Sequence, residues 1–323
     1  MQPKIRLEGT ICGRPGTDTK ELLELPVMAQ NNRAESFASS KGNTIVPIKR
    51  STDLGSQNVN STRLSDVDEW GRSESLRSVA RRGFQFFYDS YFRVEWEGLE
   101  KIPTEGGALL VSNHAGAIPM DAPIIMHGIE ESVGRPVYGL ADHFFRKLPV
   151  AGTMWSRLGG VPAHPDNAYR LLRDQRQLAL VFPEGTKGTS KVFTQRYRLR
   201  RFGRGGFVEI AMKAGVPIIP IAVVGSEETM PIVFKINSLA KLTGLPYFPI
   251  TANWLLMGPV LGTALSFPAK FKLRVLDPVH FNVPPDQERY SKSRVMDESE
   301  SVRVSIQEAL YDMLAHRGNP WLG

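Results

Sequence analysis

The sequence predicts an α/β fold, with a largely parallel central sheet flanked by helices and preceded by an amphipathic helix and a disordered N-terminal leader. Three observations carry this prediction. Six short apolar runs have strand character, the segments between them have helical periodicity, and 41% of the 323 residues are apolar, enough for a sizeable core.

Residues 1–70 stand apart. They are rich in Ser, Asn, Thr and Gly and hold a single aromatic, Phe37, before Trp70. Nine basic and nine acidic side chains cancel there, so the net charge of +7 belongs to residues 71–323. This composition predicts a mostly disordered leader, with at most a short element at "ELLELPVM". The lone cysteine, Cys12, lies in it, which excludes an intramolecular disulfide framework and fits a reducing compartment. The N-terminus lacks the apolar core of a secretory signal. No stretch offers the roughly 20 apolar residues of a spanning helix.

From Ser73 the pattern turns helical. Leu76, Val79, Ala80, Phe84, Phe87, Tyr88 and Tyr91 recur at spacings of three and four, predicting a helix over 73–92 with one apolar face. Arg72, Arg77, Arg81 and Arg82 lie among them. Such a helix either packs on the core or lies at a membrane interface with its arginines on lipid phosphates. The strands follow as "RVEWEG", "GALLVSN", "PVYGLA", "LALVFPEG", "PIIPIAVVG" and "FKLRVLD". Helices are expected at "DAPIIMHGI", "PDNAYRLLRDQ", "GGFVEIAMKAG" and "ESVRVSIQEALYDMLAHRG". Residues 242–269 hold no charged side chain; their prolines and glycines predict an irregular apolar loop, either buried or facing a membrane.

Several chemistries lack their residues. There is no Gly-x-Ser-x-Gly elbow and no His-Glu-x-x-His, Cys cluster or Walker loop. A covalent acyl-enzyme has no evident nucleophile, and neither a metal nor a cofactor is expected. His114 follows the strand "ALLV", and Asp121 comes seven positions later. A histidine oriented by a carboxylate is a general base suited to neutral pH. The stretch equally fits a histidine bonded to backbone, with Asp121 capping a helix. With no protein nucleophile, a base here would activate a hydroxyl of the substrate itself, which suggests direct transfer of an acyl group from a thioester to an alcohol. His143, beside Asp142, reads as a surface or core histidine.

A second motif, "VFPEGTKG", would stand at the exit of another strand. Pro183 stiffens the exit, Gly185 allows close approach to the backbone, and Glu184 and Thr186 offer polar contacts. A basic run follows with no acidic residue from Lys187 to Val208, containing Lys187, Arg196 and Arg204 and leading into a Gly-rich helix start. It reads as a solvated face or as a phosphate-contacting surface. The "GRGG" is similar to arginine–glycine tracts that bind RNA.

Taken in order, "NHAGAIPMD", "LGGVPA", "VFPEGT" and "AGVPIIPIAVVG" resemble the four motifs of the glycerolipid (lysophospholipid) acyltransferases, across roughly 83–278. The resemblance implies an acyltransferase domain over 71–323 and, as acyl donor, acyl-CoA or acyl carrier protein. It implies a glycerolipid hydroxyl as acceptor and attachment to the cytosolic face of a membrane, with an anionic membrane surface as partner and no nucleic acid. By this likeness His114 is the base and Asp121 its partner, and Glu184, Gly185 and Thr186 line the acceptor site. Two departures bear on it. Six residues rather than the family's usual four separate His114 from Asp121, so Ala115–Met120 would have to bulge outward; the other nearby carboxylates are Glu130, Glu131 and Asp142. Where the family often has a phosphate-holding arginine, His164 or Pro165 stands. Either Lys187, Arg196 and Arg204 then meet the acceptor phosphate, or the acceptor is a neutral acylglycerol. The competing class is a non-catalytic basic protein that binds membrane or RNA.

Overall fold

The computed structural model describes residues 66–142 and 149–321. Of the leader expected over 1–70, residues 1–65 lie outside the described residues, as do the element at "ELLELPVM" and His143. Residues 66–70 are described and packed, with Val67 bridged to Ser73 and Trp70 Nε1 donating to Gln175 Oε1 at 2.7 Å.

Seven strands form the central sheet: β1 (Glu95–Glu97), β2 (Ala108–Ser112), β3 (Val137–Ala141), β4 (Gly160–Pro162), β5 (Leu178–Val181), β6 (Ile218–Val224) and β9 (Lys272–Val275). Their order is β1-β9-β6-β2-β5-β3-β4. Every pairing is parallel except that of β6 with β9, so five strands run one way and the β9–β1 pair the other. All six strands read from the sequence are present. The short β4 was not foreseen, nor was the antiparallel pair β7 (Ile232–Lys235) and β8 (Pro249–Thr251) that stands outside the sheet.

The central strand explains why the runs are continuously apolar. All five residues of β2 are buried, because its two faces serve two cores. Leu109 and Val111 pack toward α6 (Gly206–Ala214) and α10 (Lys292–Ala315). Ala108 and Leu110 pack toward α2 (Asp121–Val133). The remaining helices are α1 (Glu74–Phe86), α3 (Pro149–Arg157), α4 (Pro165–Tyr169), α5 (Thr186–Thr189), α7 (Ser226–Thr229), α8 (Asn237–Thr243) and α9 (Ala252–Ala264). No helix of the described residues is long and apolar enough to cross a membrane.

The amphipathic helix is α1, capped by the Ser73 side chain and continued by a π turn over Phe87–Tyr91. Its inner face docks on α2: Phe84 and Tyr88 pack against the His127 ring, and Gln85 Oε1 lies 2.9 Å from His127 Nε2. Three of the four arginines pair within the fold, which favours the core-packing alternative for them. Arg77 is buried against Glu130, Arg81 pairs with Glu131 at 2.5 Å, and Arg72 pairs with Glu74 at 2.7 Å. Burial lowers the Arg77 guanidinium to about 10. Arg82, in contrast, is exposed.

The expected irregular loop over 242–269 is a second correction. It contains β8 and α9, and Thr251 caps α9 by accepting the Trp254 N–H at 3.2 Å. Pro259 and Gly258 do interrupt the helix, but they do so at one kink rather than abolishing it.

Candidate active site

Three adjacent parallel strands, β6, β2 and β5, end at one edge of the sheet and deliver the site. Val111 and Val181 are register partners, so His114 and Glu184 each stand three residues beyond a paired position. Asn113 fixes the height of the first turn: its Nδ2 donates to Val223 O at 3.0 Å and its Oδ1 accepts the Val223 N–H at 2.8 Å. This buried amide replaces one step of strand pairing and pins the residue before His114 to β6.

Beyond His114 the chain bulges and returns. Gly116 takes φ of 85°, in the left-handed region, and a Cβ there would lie 3.1 Å from Ser226 O. The return places Asp121, fully buried, under the imidazole: His114 Nδ1 is 3.0 and 3.1 Å from its two carboxylate oxygens. The same carboxylate accepts the N–H groups of Ala115 at 3.0 Å and Ala122 at 2.8 Å, and lies 3.5 Å from Ser226 Oγ, whose hydroxyl donates to Ala115 O at 3.0 Å. Asp121 thus orients the histidine and accepts one N–H of the first turn of its own helix, whose N-cap position is Met120. Glu130 and Glu131, paired with Arg77 and Arg81, are not available to His114.

An ionised carboxylate only accepts, so the hydrogen bond puts the imidazole proton on Nδ1 and leaves the Nε2 lone pair free. Among the described residues no protein group bonds Nε2. The ring stacks on Phe182 with centroids 4.1 Å apart, and 14% of the side chain is exposed. It is therefore gripped on one nitrogen and one face, with a narrow opening.

Glu184 lies elsewhere than a substrate contact would. Its carboxylate is buried, accepts the His114 N–H at 3.3 Å and the Arg200 N–H at 2.6 Å, and lies 3.6 Å from Lys191 Nζ. It is a strut between the two motifs, and this corrects the expectation that it faces the acceptor. Gly185 does adopt a glycine-favoured backbone (φ 54°, ψ −142°), and Gly185, Thr186 and Lys187 are exposed beside the histidine loop. The Gly185 N–H is used on Phe182 O at 2.9 Å. Gly188 permits the close approach, since a Cβ on it would be 2.7 Å from His114 O.

Arg196 and Arg204 are exposed, but Arg196 folds over Phe193, with its guanidinium 4.4 Å from the ring centroid. Packing accounts for the Gly-rich helix start: a Cβ on Gly205 would sit 2.7 Å from Val295 Cγ1 on α10. His164 caps α4, accepting the Asp166 N–H at 3.3 Å.

Sequence reasoning missed Asn113, Ser226 and Glu227, and read Lys191 as one cation of the basic run, whereas it is buried. Lys191 Nζ is buried 3.0 Å from Glu227 Oε1, and Glu227 also accepts the Tyr197 N–H at 3.1 Å. Burial raises the Glu227 carboxyl, with Lys191 opposing. Next to it Glu228 pairs with Arg317 at 2.8 Å and accepts from the Tyr197 hydroxyl. Tyr247, from the segment before β8, donates its hydroxyl to Thr189 Oγ1 at 2.8 Å and reaches Ala117 O at 3.5 Å. The sequence signal for Asn113, Ser226 and Glu227 was their place just beyond the apolar strands β2 and β6; Lys191, inside a basic run, carried none of its own.

Comparison with known proteins gives the family of the chain. The profile of the Acyltransferase family matches residues 93–224. An uncharacterised protein of Mycobacterium tuberculosis is 39% identical over 260 residues, covering 80% of this chain and 72% of that one. The human DGAT1/2-independent enzyme synthesizing storage lipids is 31% identical over 153 residues, 46% of each chain. The crystal structure of the 1-acyl-sn-glycerophosphate acyltransferase of Thermotoga maritima superposes with a TM-score of 0.48 at 21% identity, covering 76% of this chain and 84% of that one.

Proposed function

Because this chain belongs to the acyltransferase family, we propose that it moves a fatty acyl group from acyl-CoA, or acyl carrier protein, to a glycerolipid hydroxyl. The single observation that carries the reading is the His114–Asp121 pair, 3.0 Å apart, with Nε2 left open. His114 Nε2 takes the proton from the acceptor hydroxyl as its oxygen attacks the thioester carbonyl, and Asp121 stabilises the imidazolium. The tetrahedral intermediate collapses, the C–S bond breaks, and the imidazolium proton passes to the leaving thiolate. No acyl-enzyme is formed. The oxyanion needs a fixed donor. The Gly185 N–H being used, that of Gly116 is the remaining candidate of the two glycines.

The acceptor in this reading is a neutral mono- or diacylglycerol. Supporting it, the position of the family's phosphate-holding arginine carries His164, which caps a helix, and Pro165. The storage-lipid name of the human relative points the same way. The enzyme works attached peripherally to the cytosolic face of a membrane, where such acceptors reside. Incubation of the full chain with labelled acyl-CoA and a panel of monoacylglycerol, diacylglycerol and lysophosphatidate tests both parts. An acylated neutral glyceride is the expected product. Lysophosphatidate as the preferred acceptor would overturn the acceptor assignment, and no product with any acceptor, alongside salt-sensitive binding to RNA, would overturn the enzyme reading.

A further inference from the structure

Within the uncharged segment 242–269, α9 folds back at Gly258 as a hairpin of two short helices. At Gly258 φ is 77°, outside the helical region, and Pro259 opens the second half of α9. The halves clamp together. Asn253 Nδ2 donates to Leu265 O at 2.9 Å, and Trp254 Nε1 donates to Thr263 Oγ1 at 2.7 Å. Gly262 approaches so closely that a Cβ there would be 2.5 Å from Asn253 O. The buried Asn253 also donates to Thr229 O at 3.1 Å, which ties the root of the hairpin to the helix that follows β6.

The end around the kink is apolar and open to water: Leu255, Leu256, Val260 and Leu261 are 63%, 75%, 80% and 56% exposed. From Leu265, also exposed, the strip continues onto a segment far away in sequence. Tyr91 donates its hydroxyl to Ser266 O at 2.5 Å; the Tyr91 ring meets Phe87, and Phe87 meets Phe86. Phe86 is 63% exposed. Exposed cations adjoin the exposed apolar residues: Arg82 one turn before Phe86, Lys235 after Phe234, and Lys241 before Leu242. Lys235 lies on β7, paired with the β8 strand that leads into α9. An arginine and two lysines beside exposed apolar residues match anionic lipid headgroups around a hydrocarbon interior, whereas lysine is depleted from protein–protein interfaces.

We propose that the α9 hairpin, together with Phe86 and Phe87, is a lipid-docking wedge that seats in one leaflet of an anionic phospholipid membrane. The inference deepens the acyl-transfer reading, on which it rests for the purpose of docking, by naming the surface that brings His114 to its acceptor. Tyr247 joins the two: bonded to Thr189 and close to Ala117, it fixes the wedge-bearing segment to both motifs of the site.

The test uses the full chain and a Leu256→Glu/Val260→Glu variant, whose substitutions point into solvent and whose fold is checked by circular dichroism. Flotation with vesicles of phosphatidylcholine and phosphatidylglycerol is measured beside acyl transfer to a vesicle-borne diacylglycerol and to a water-soluble short-chain monoacylglycerol. The expected result is at least about tenfold weaker flotation and a matching loss on the vesicle-borne acceptor, with transfer to the soluble acceptor retained. Flotation equal to the parent protein would overturn the proposal. So would a dimer in lipid-free buffer that the substitutions dissociate, since the strip would then be an interface between copies. If the parent protein acylates neither acceptor, the catalytic reading fails, and flotation still decides the wedge.

Discussion

The main-chain N–H of His114 donates to the buried carboxylate of Glu184 over 3.3 Å, so the residue read as a base hangs from the motif read as a substrate site. Glu184 is held in turn by Lys191, whose ammonium lies between it and Glu227. Replacing Lys191 by Met would leave two buried carboxylates facing each other without a cation. We expect a loss of about 3–5 kcal/mol in urea unfolding. Adding Glu227→Gln should recover part of it, because the unpaired charge is then removed. Equal stability of the single and double variants would show that the pair is not coupled.

His114 and Asp121 should separate chemistry from folding. His114→Ala is expected to lower kcat on the order of 10²–10⁴-fold, at a smaller stability cost than Asp121→Asn, since Asp121 keeps the N–H groups of Ala115 and Ala122 when the ring is removed. Asp121→Asn should lower kcat by a similar factor through the wrong tautomer. It should also cost about 1–3 kcal/mol, because the carboxylate serves the N–H groups of Ala115 and Ala122 as well. Steady-state kinetics and thermal melts on the same samples distinguish the two. Full activity of His114→Ala would exclude the mechanism.

A pH dependence is expected at the start of α1. The Ser73 and Ser75 hydroxyls donate to Asp66 and hold its carboxyl at about 2, below the ordinary 3.8. A carboxylate held lower when folded adds stability above its unfolded pKa and loses it as pH falls through the folded one. The helix start should therefore loosen between about pH 4 and pH 2, seen in the fluorescence of nearby Trp70. Asp66→Asn cannot titrate, so its fluorescence should stay flatter over that window than that of the parent protein.

Much of this was legible in the sequence, for identifiable reasons. A strand buried on both faces must be apolar throughout, and β2 and β6 announced the sheet in that way. At the flank, β9 showed instead an alternation of charged and apolar residues. The three residues of β4, Gly-Val-Pro, carry neither pattern. His114 and "FPEGT" were visible because polar residues directly after apolar strands stand out. The role of Glu184 was not, since burial and exposure leave the same letter in the sequence. Nor was the α9 hairpin: its apolar residues encircle the helix instead of lining one face, and without a face there is no period to read. The Lys191–Glu227 pair joins residues that only the fold brings together.

One glycine turns that hidden packing into a sharp prediction. Gly188, in the short helix α5 that Thr186 opens, meets the backbone of His114, and an added Cβ would fall 2.7 Å from His114 O and 3.1 Å from His114 Cβ. Backbone on one side and a stacked, hydrogen-bonded ring on the other leave little room to give. Gly188→Ala should therefore displace His114 from Asp121 at a cost of about 1–3 kcal/mol. It should also lower kcat by at least about tenfold, since an ångström-scale shift of a catalytic group is costly. A serine or alanine at Gly185, where nothing lies within 4 Å of the added Cβ, is the control: it strains the backbone at φ 54° without touching the histidine. If Gly188→Ala and Gly185→Ala reduce stability alike but only the former reduces kcat, the contact with His114 is the cause. Unchanged kcat in Gly188→Ala would mean that α5 can move aside and that the packing does not set the position of the base.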